Sequence, residues 1–78
     1  MERMIMDQQI SILIVDDVGT VRSFLHQTLM HLGIDHVREA STATQCITAC
    51  EEQHFDIVFL DIELPDGDGK ELIAEINK

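Results

Sequence analysis

Three acidic residues stand where two apolar runs stop. Residues 10–15 read Ile-Ser-Ile-Leu-Ile-Val and run into Asp16-Asp17, and residues 56–60 read Asp-Ile-Val-Phe-Leu and run into Asp61. Runs of branched apolar residues without alternation mark buried parallel strands. In an open parallel α/β sheet, sites lie beyond the carboxyl ends of the strands. If the two strands are neighbours, Asp16, Asp17 and Asp61 converge there. Close like charges in a partly desolvated site repel unless a cation or a proton intervenes. A hard cation with oxygen ligands resolves the conflict, and Mg²⁺ takes one or two carboxylates together with waters. Single acids at strand ends are usually just solvated; convergence of three favours the ion, with Mn²⁺ as the natural substitute.

The elements that must position these acids are legible from periodicity. Across residues 20–32, Val21, Phe24, Leu25, Thr28, Leu29 and Leu32 recur at three- and four-residue steps, which predicts a helix with one apolar face. Gly33 stops it, as glycine does beyond a helix end. Residues 36–40 form a short strand candidate. Thr42 and Gln45 have capping-box spacing, and Ala43, Cys46, Ile47 and Cys50 form the stripe of a second helix. After Asp61 comes a loop with Pro65, Gly67 and Gly69, then a third helix capped by Asp68, with Glu71 in its first turn. Leu72, Ile73 and Ile76 are its expected buried face. The order βαβαβα implies right-handed crossovers and a parallel sheet with helices on its faces.

Composition narrows the function classes. The chain has 78 residues, 45% of them hydrophobic, with 15 acidic against 5 basic residues and a formal charge of −10. That is one small domain with a marginal core, and too apolar for a disordered tail. The charge makes nucleic acid and anionic membrane surfaces poor partners and favours cations and basic protein surfaces. No apolar run approaches the roughly 20 residues that span a bilayer. Residues 1–9 carry Glu2 and Asp7 and no long apolar stretch, so they read as an N-terminal extension rather than a secretory signal, and the cytoplasm is the expected location. Cys46 and Cys50 share one helix face and are expected to pack rather than pair. His26, His31, His36 and His54 match no metal motif and are expected at the surface or its boundary.

The residues also carry a family resemblance. Ile-Leu-Ile-Val-Asp16-Asp17, Val21-Arg22-Ser23-Phe24-Leu25, Val37-Arg38-Glu39-Ala40 and Asp56-Ile-Val-Phe-Leu-Asp61 stand in register with Asp61-Ile-Glu-Leu-Pro65-Asp-Gly-Asp68-Gly69. Together they resemble the receiver domain of two-component response regulators from about residue 10 to residue 78. The resemblance implies a flavodoxin-like three-layer α/β fold, truncated to βαβαβα with sheet order 2-1-3. It implies that Asp61 is the phosphoacceptor and that Asp16 and Asp17 hold Mg²⁺ with it. Glu63 takes the position whose backbone carbonyl completes the metal site, and Pro65 and Gly69 shape the loop into the third helix.

The family has five βα units, and the last two are not in this sequence. The strand-four Ser/Thr, the strand-five Lys and the switching aromatic are therefore absent from it, and Lys70 and Lys78 do not match the lysine position. The expected function is a receiver-like signalling protein, not an enzyme, with a Mg²⁺-binding acidic pocket and weakened phospho-switching. It is expected to act as a homodimer, joined around strand 3 and the bared sheet faces, or through partner binding. Two alternatives stand beside it. One is a phosphorylation-competent stand-alone receiver served by a histidine kinase or phosphotransfer protein; the other is a non-functional fragment of a longer regulator.

Overall fold

The computed structural model describes residues 10–61 and 63–77, so the 1–9 extension lies outside the described residues. The first strand, β1 (Ser11–Val15), holds Ile12, Leu13, Ile14 and Val15 at 0–1% exposure. Such burial requires cover on both faces and a pairing partner on each edge. Both partners are parallel: β2 (His36–Ala40) on one edge and β3 (Ile57–Leu60) on the other. The sheet order β2-β1-β3 is the expected one, with β3 at an edge among the described residues.

Strand alternation sorts the core into two halves. Ile12 and Ile14 face α1 (Gly19–His31) and pack with Leu29, with Leu25, Ile34 and Val37 at the margin. Leu13 and Val15 face the opposite way, toward α2 (Ala43–Glu52), joined by Ala40, Ala43, Cys46 and Ala49. The inward stripe of α2 is thus made of small residues, which lets the helix lie close to the sheet. Cys46 is fully buried and Cys50 half-buried, both as free thiols; burial first, then the neighbouring Cys50, pushes the Cys46 thiol up to about 12.

The helix ends show where sequence and structure agree in detail. Thr42 accepts a hydrogen bond from the Gln45 amide at 3.1 Å, and the Gln45 side chain reaches back to the Ser41 amide at 2.8 Å. This is a capping box shifted by one residue at its return bond. Gly33 takes φ +87°, the left-handed conformation that ends a helix cheaply only in glycine.

Three expectations are corrected. The spacing in the first helix predicts one apolar face of Val21, Phe24, Leu25, Thr28, Leu29 and Leu32. Of these Leu29 alone is buried, and Phe24 and Leu32 are each 70% exposed, because among the described residues nothing packs over that side of α1. The Pro65, Gly67 and Gly69 pattern after Asp61 predicts a loop, and the segment is more ordered than that. It forms a small hairpin, β4 (Glu63–Leu64) against β5 (Gly67–Asp68), turned by Pro65 and Asp66. Asp68 ends β5 and directly precedes α3, the place of an N-cap, and its side chain is outside the described residues. In α3 (Gly69–Ile76), Leu72 is buried and Ile76 partly buried, but Ile73 is 47% exposed: it points away from α2, against which the helix packs.

Candidate functional site

The registers of β1, β2 and β3 bring their carboxyl ends level. Val15 pairs with Ala40 on one side and with Leu60 on the other. The residues after β1 and β3 stay in the ladder: the Asp16 amide donates to the Ala40 carbonyl at 3.1 Å, and the Asp61 amide to the Val15 carbonyl at 2.9 Å. Asp16 and Asp61 are thereby fixed side by side at the top of adjacent strands, with Asp17 following.

A carboxylate oxygen from each of Asp16, Asp17 and Asp61 lies within 4.8 Å of the other two. Asp16 and Asp61 are half-buried and Asp17 exposed, so the cluster opens to solvent on one side. All the donors are carboxylate oxygens, the set that suits Mg²⁺, Ca²⁺ or Mn²⁺ rather than a soft metal. The residues therefore fit a hard divalent cation. Glu63, two residues beyond Asp61, has its backbone in β4, paired with Asp68, and its side chain lies outside the described residues.

The cluster is braced from α1. Asp16 Oδ1 accepts from the Val18 amide at 2.9 Å, a turn that orients the carboxylate before the helix begins. Arg22 donates through Nη1 to the Asp16 carbonyl at 2.7 Å and through Nε to Glu39 Oε1 at 3.0 Å. His26, one turn further on, bonds the other oxygen of Glu39 through Nδ1 at 2.6 Å. Glu39 is held below the usual carboxylate range by His26 first, with Arg22 adding to the effect against the opposing cost of burial. This brace was missed by sequence reasoning. Its signal was available: Arg22 and His26 are four apart and share a helix face, with an acid on the expected neighbouring strand.

A second structural acid lies in the hairpin turn. Asp66 accepts from the Ala43 amide at 2.6 Å, from the Thr44 amide at 3.1 Å and from the Thr44 hydroxyl at 2.9 Å. These bonds, the Ala43 amide first, lower the Asp66 pKa. Beside the acid cluster, between α1 and β3, runs an open groove of about 360 Å³ floored by Ile14 and Phe59 and walled by Val21 and Leu25. Among the described residues no helix is long and apolar enough to cross a membrane.

The comparisons with known proteins agree with this geometry. Residues 12–78 match the response regulator receiver domain family. The chain is 37% identical over 71 residues to the sensor protein EvgS of Escherichia coli K12, and equally to that of Escherichia coli O157:H7. Those stretches are 91% of this chain but 6% of each sensor protein, so the likeness concerns one small part of a much longer polypeptide. With parallel strands in the order 2-1-3, the acids at their carboxyl ends and a match running through nearly all of the sequence, the chain belongs to the receiver domain family of two-component signalling and carries its first three βα units.

Proposed function

We propose that this protein is a receiver-like module of two-component signalling in which Asp16, Asp17 and Asp61 bind Mg²⁺ or Mn²⁺. The Glu63 backbone carbonyl is a further ligand, and Asp61 is the phosphoacceptor. The observation that carries the reading is the approach of the three carboxylates within 4.8 Å. Phosphoryl transfer depends mostly on positioning and charge neutralisation. A divalent cation, when bound, supplies the positive charge that offsets the phosphoryl oxygens. The chain itself contributes the Asp61 carboxylate oxygen, which attacks phosphorus as the bond to the donor's leaving group breaks. The product is an acyl phosphate, and the protein is a substrate of the transfer rather than an enzyme. The setting for this chemistry is the cytoplasm, with a histidine kinase or phosphotransfer protein as donor.

The two lysines of the sequence, Lys70 and Lys78, lie in or after α3, so neither follows a strand that ends beside Asp61. Phosphoryl transfer to the 78 residues taken by themselves is therefore proposed to be slow, with assembly as the route of output. The edge of β3 and its apolar residues Ile57 and Phe59, 45% and 41% exposed, support a homodimer joined there. Antiparallel pairing of two β3 strands sets the Asp61 sites at opposite ends of a six-stranded sheet.

The melting temperature should rise with millimolar Mg²⁺, and Asp17→Asn should reduce that rise; an unchanged response refutes the metal site. Incubation with acetyl phosphate and Mg²⁺, read by intact mass, should label slowly and only where Asp61 is intact. Fast stoichiometric labelling favours the second reading, a phosphorylation-competent stand-alone receiver, which the intact acid trio supports. Light scattering at micromolar concentration should give a dimer; a folded monomer overturns the assembly reading.

A further inference from the structure

The hairpin between β3 and α3 does more than connect them. Its turn residue, Asp66, places both carboxylate oxygens on the first turn of α2, across 22 to 23 residues of sequence. The next residue, Gly67, sits so close to that turn that a Cβ built on it would lie 3.0 Å from the Ala43 Cβ. Leu64, at the other side of the turn, is 8% exposed and belongs to the same cluster as Ala43 and Leu72. The hairpin is therefore fastened to α2 by charge-assisted hydrogen bonds, a tight backbone approach and a buried leucine, all within four residues. That hairpin begins two residues after Asp61, with Glu63 as its first strand residue.

A helix cap alone would not require this arrangement, because α2 already has one. Thr42 accepts from the Gln45 amide, while Asp66 takes the Ala43 and Thr44 amides, so the two acceptors satisfy different donors of the same turn. One cap is local to the helix, and the other arrives from the segment that follows the acid cluster.

We propose that Asp66 is a positioning residue for the acid site. Its clasp on α2 holds the hairpin, and with it the backbone at Glu63, in place beside Asp61, so that the first turn of α2 and the site move as one unit. The proposal deepens the metal-binding reading and rests on it for its consequence on affinity, while its mechanical part stands without it. Groups that orient a metal's ligands from outside the coordination sphere are worth about 10–100-fold in affinity.

Three variants of the full chain separate positioning from stability. Asp66→Ala removes the clasp, Asp66→Asn keeps one acceptor, and Thr42→Ala removes the local cap of the same helix without touching the hairpin. Mn²⁺ affinity, read from the paramagnetic resonance of free Mn²⁺, should fall about tenfold in Asp66→Ala, less in Asp66→Asn, and stay unchanged in Thr42→Ala. Equal losses in Asp66→Ala and Thr42→Ala, or none in Asp66→Ala, overturn the proposal.

Amide hydrogen exchange is the second readout and needs no metal. In Asp66→Ala, exchange should quicken both at residues 43–44 and at Asp61, Glu63 and Leu64; in Thr42→Ala it should quicken in α2 alone. If Asp61, Glu63 and Leu64 keep their protection in Asp66→Ala, the clasp is overturned whatever Mn²⁺ does. If the unaltered chain binds no Mn²⁺ yet the exchange pattern holds, the metal reading fails and the clasp stands.

Discussion

The two faces of the sheet are made from the same kind of residue and end up in different environments. On β3, Val58 and Leu60 turn toward α2 and α3 and are partly buried, whereas Ile57 and Phe59 turn toward α1 and are 45% and 41% exposed. Hydrophobicity does not separate the two pairs; cover does. A helix is about 10–12 Å wide and strands are spaced about 4.8 Å apart, so one helix shields roughly two strands. On one face α1 lies over β1 and β2 and leaves β3 open; on the other, α2, α3 and Leu64 of the hairpin share the work. The open face is also where the acid cluster borders a groove, so site and unshielded apolar surface adjoin.

The largest effect that could break this comparison is on stability. Leu13→Ala, at a fully buried position on the covered face, should cost about 2–5 kcal/mol, a large part of the stability of a domain this small. Phe24→Ala, 70% exposed on the open side, should stay within about 0.5 kcal/mol in the monomer. Urea denaturation measures both, and similar losses would mean that the open face is not open in solution.

Next in size is the tight contact on the covered face. Gly67→Ala should cost about 1–3 kcal/mol, because the added methyl would meet the Ala43 Cβ at 3.0 Å while the Asp66 carboxylate holds the turn to the same end of α2. A double variant, Gly67→Ala with Ala43→Gly, should recover part of the loss in the same denaturation experiment.

A smaller effect is set by pH, and each face has one carboxylate that reports on it. Glu39 ties β2 to α1 through His26 and Arg22, and Asp66 ties the hairpin to α2. Both pKa values are lowered in the folded state. Each group therefore contributes stability that is complete above its unfolded pKa and is lost as pH falls through its folded one. Glu39→Gln and Asp66→Asn should thus be less stable than the unaltered chain at neutral pH and approach it in acid. Thermal melts across pH 2 to 7, about the span over which carboxylates titrate, test this; a penalty that persists undiminished in acid would show that charge is not what these groups supply.

The smallest expectation concerns the thiols of α2. With burial and Cys50 pushing Cys46 up to about 12, Cys46 should resist alkylation at neutral pH while half-buried Cys50 reacts. Mass mapping after brief iodoacetamide treatment reads the difference, and equal labelling would show α2 lifting from the sheet.

Much of the site was legible because it depends on local facts. An apolar strand ended by an acid places that acid at the strand's carboxyl end wherever the strand lies, so Asp16, Asp17 and Asp61 could be gathered once a parallel sheet was inferred. Thr42 and Gln45 announced the start of α2 for the same reason, since a cap is decided within four residues. Gly33 is another such case.

What the sequence could not decide is which apolar residues meet a partner. Val21, Phe24 and Leu32 have the spacing of a buried face, and periodicity reports only that a face exists, not that something covers it. The role of Asp66 was hidden in the same way: a Pro-Asp-Gly turn is recognisable in sequence, but its carboxylate reaches a helix 22 residues away only because the crossovers bring them together. Arg22, His26 and Glu39 likewise became a brace when α1 settled on β2. Sequence by itself determined the three strands and three helices of the βαβαβα frame, their order and the acids at the ends of β1 and β3, because these follow from short-range sterics and hydrophobic patterning. The tertiary structure alone decided the burial of each face and the ties between distant segments, because both depend on which surfaces the folded chain brings into contact.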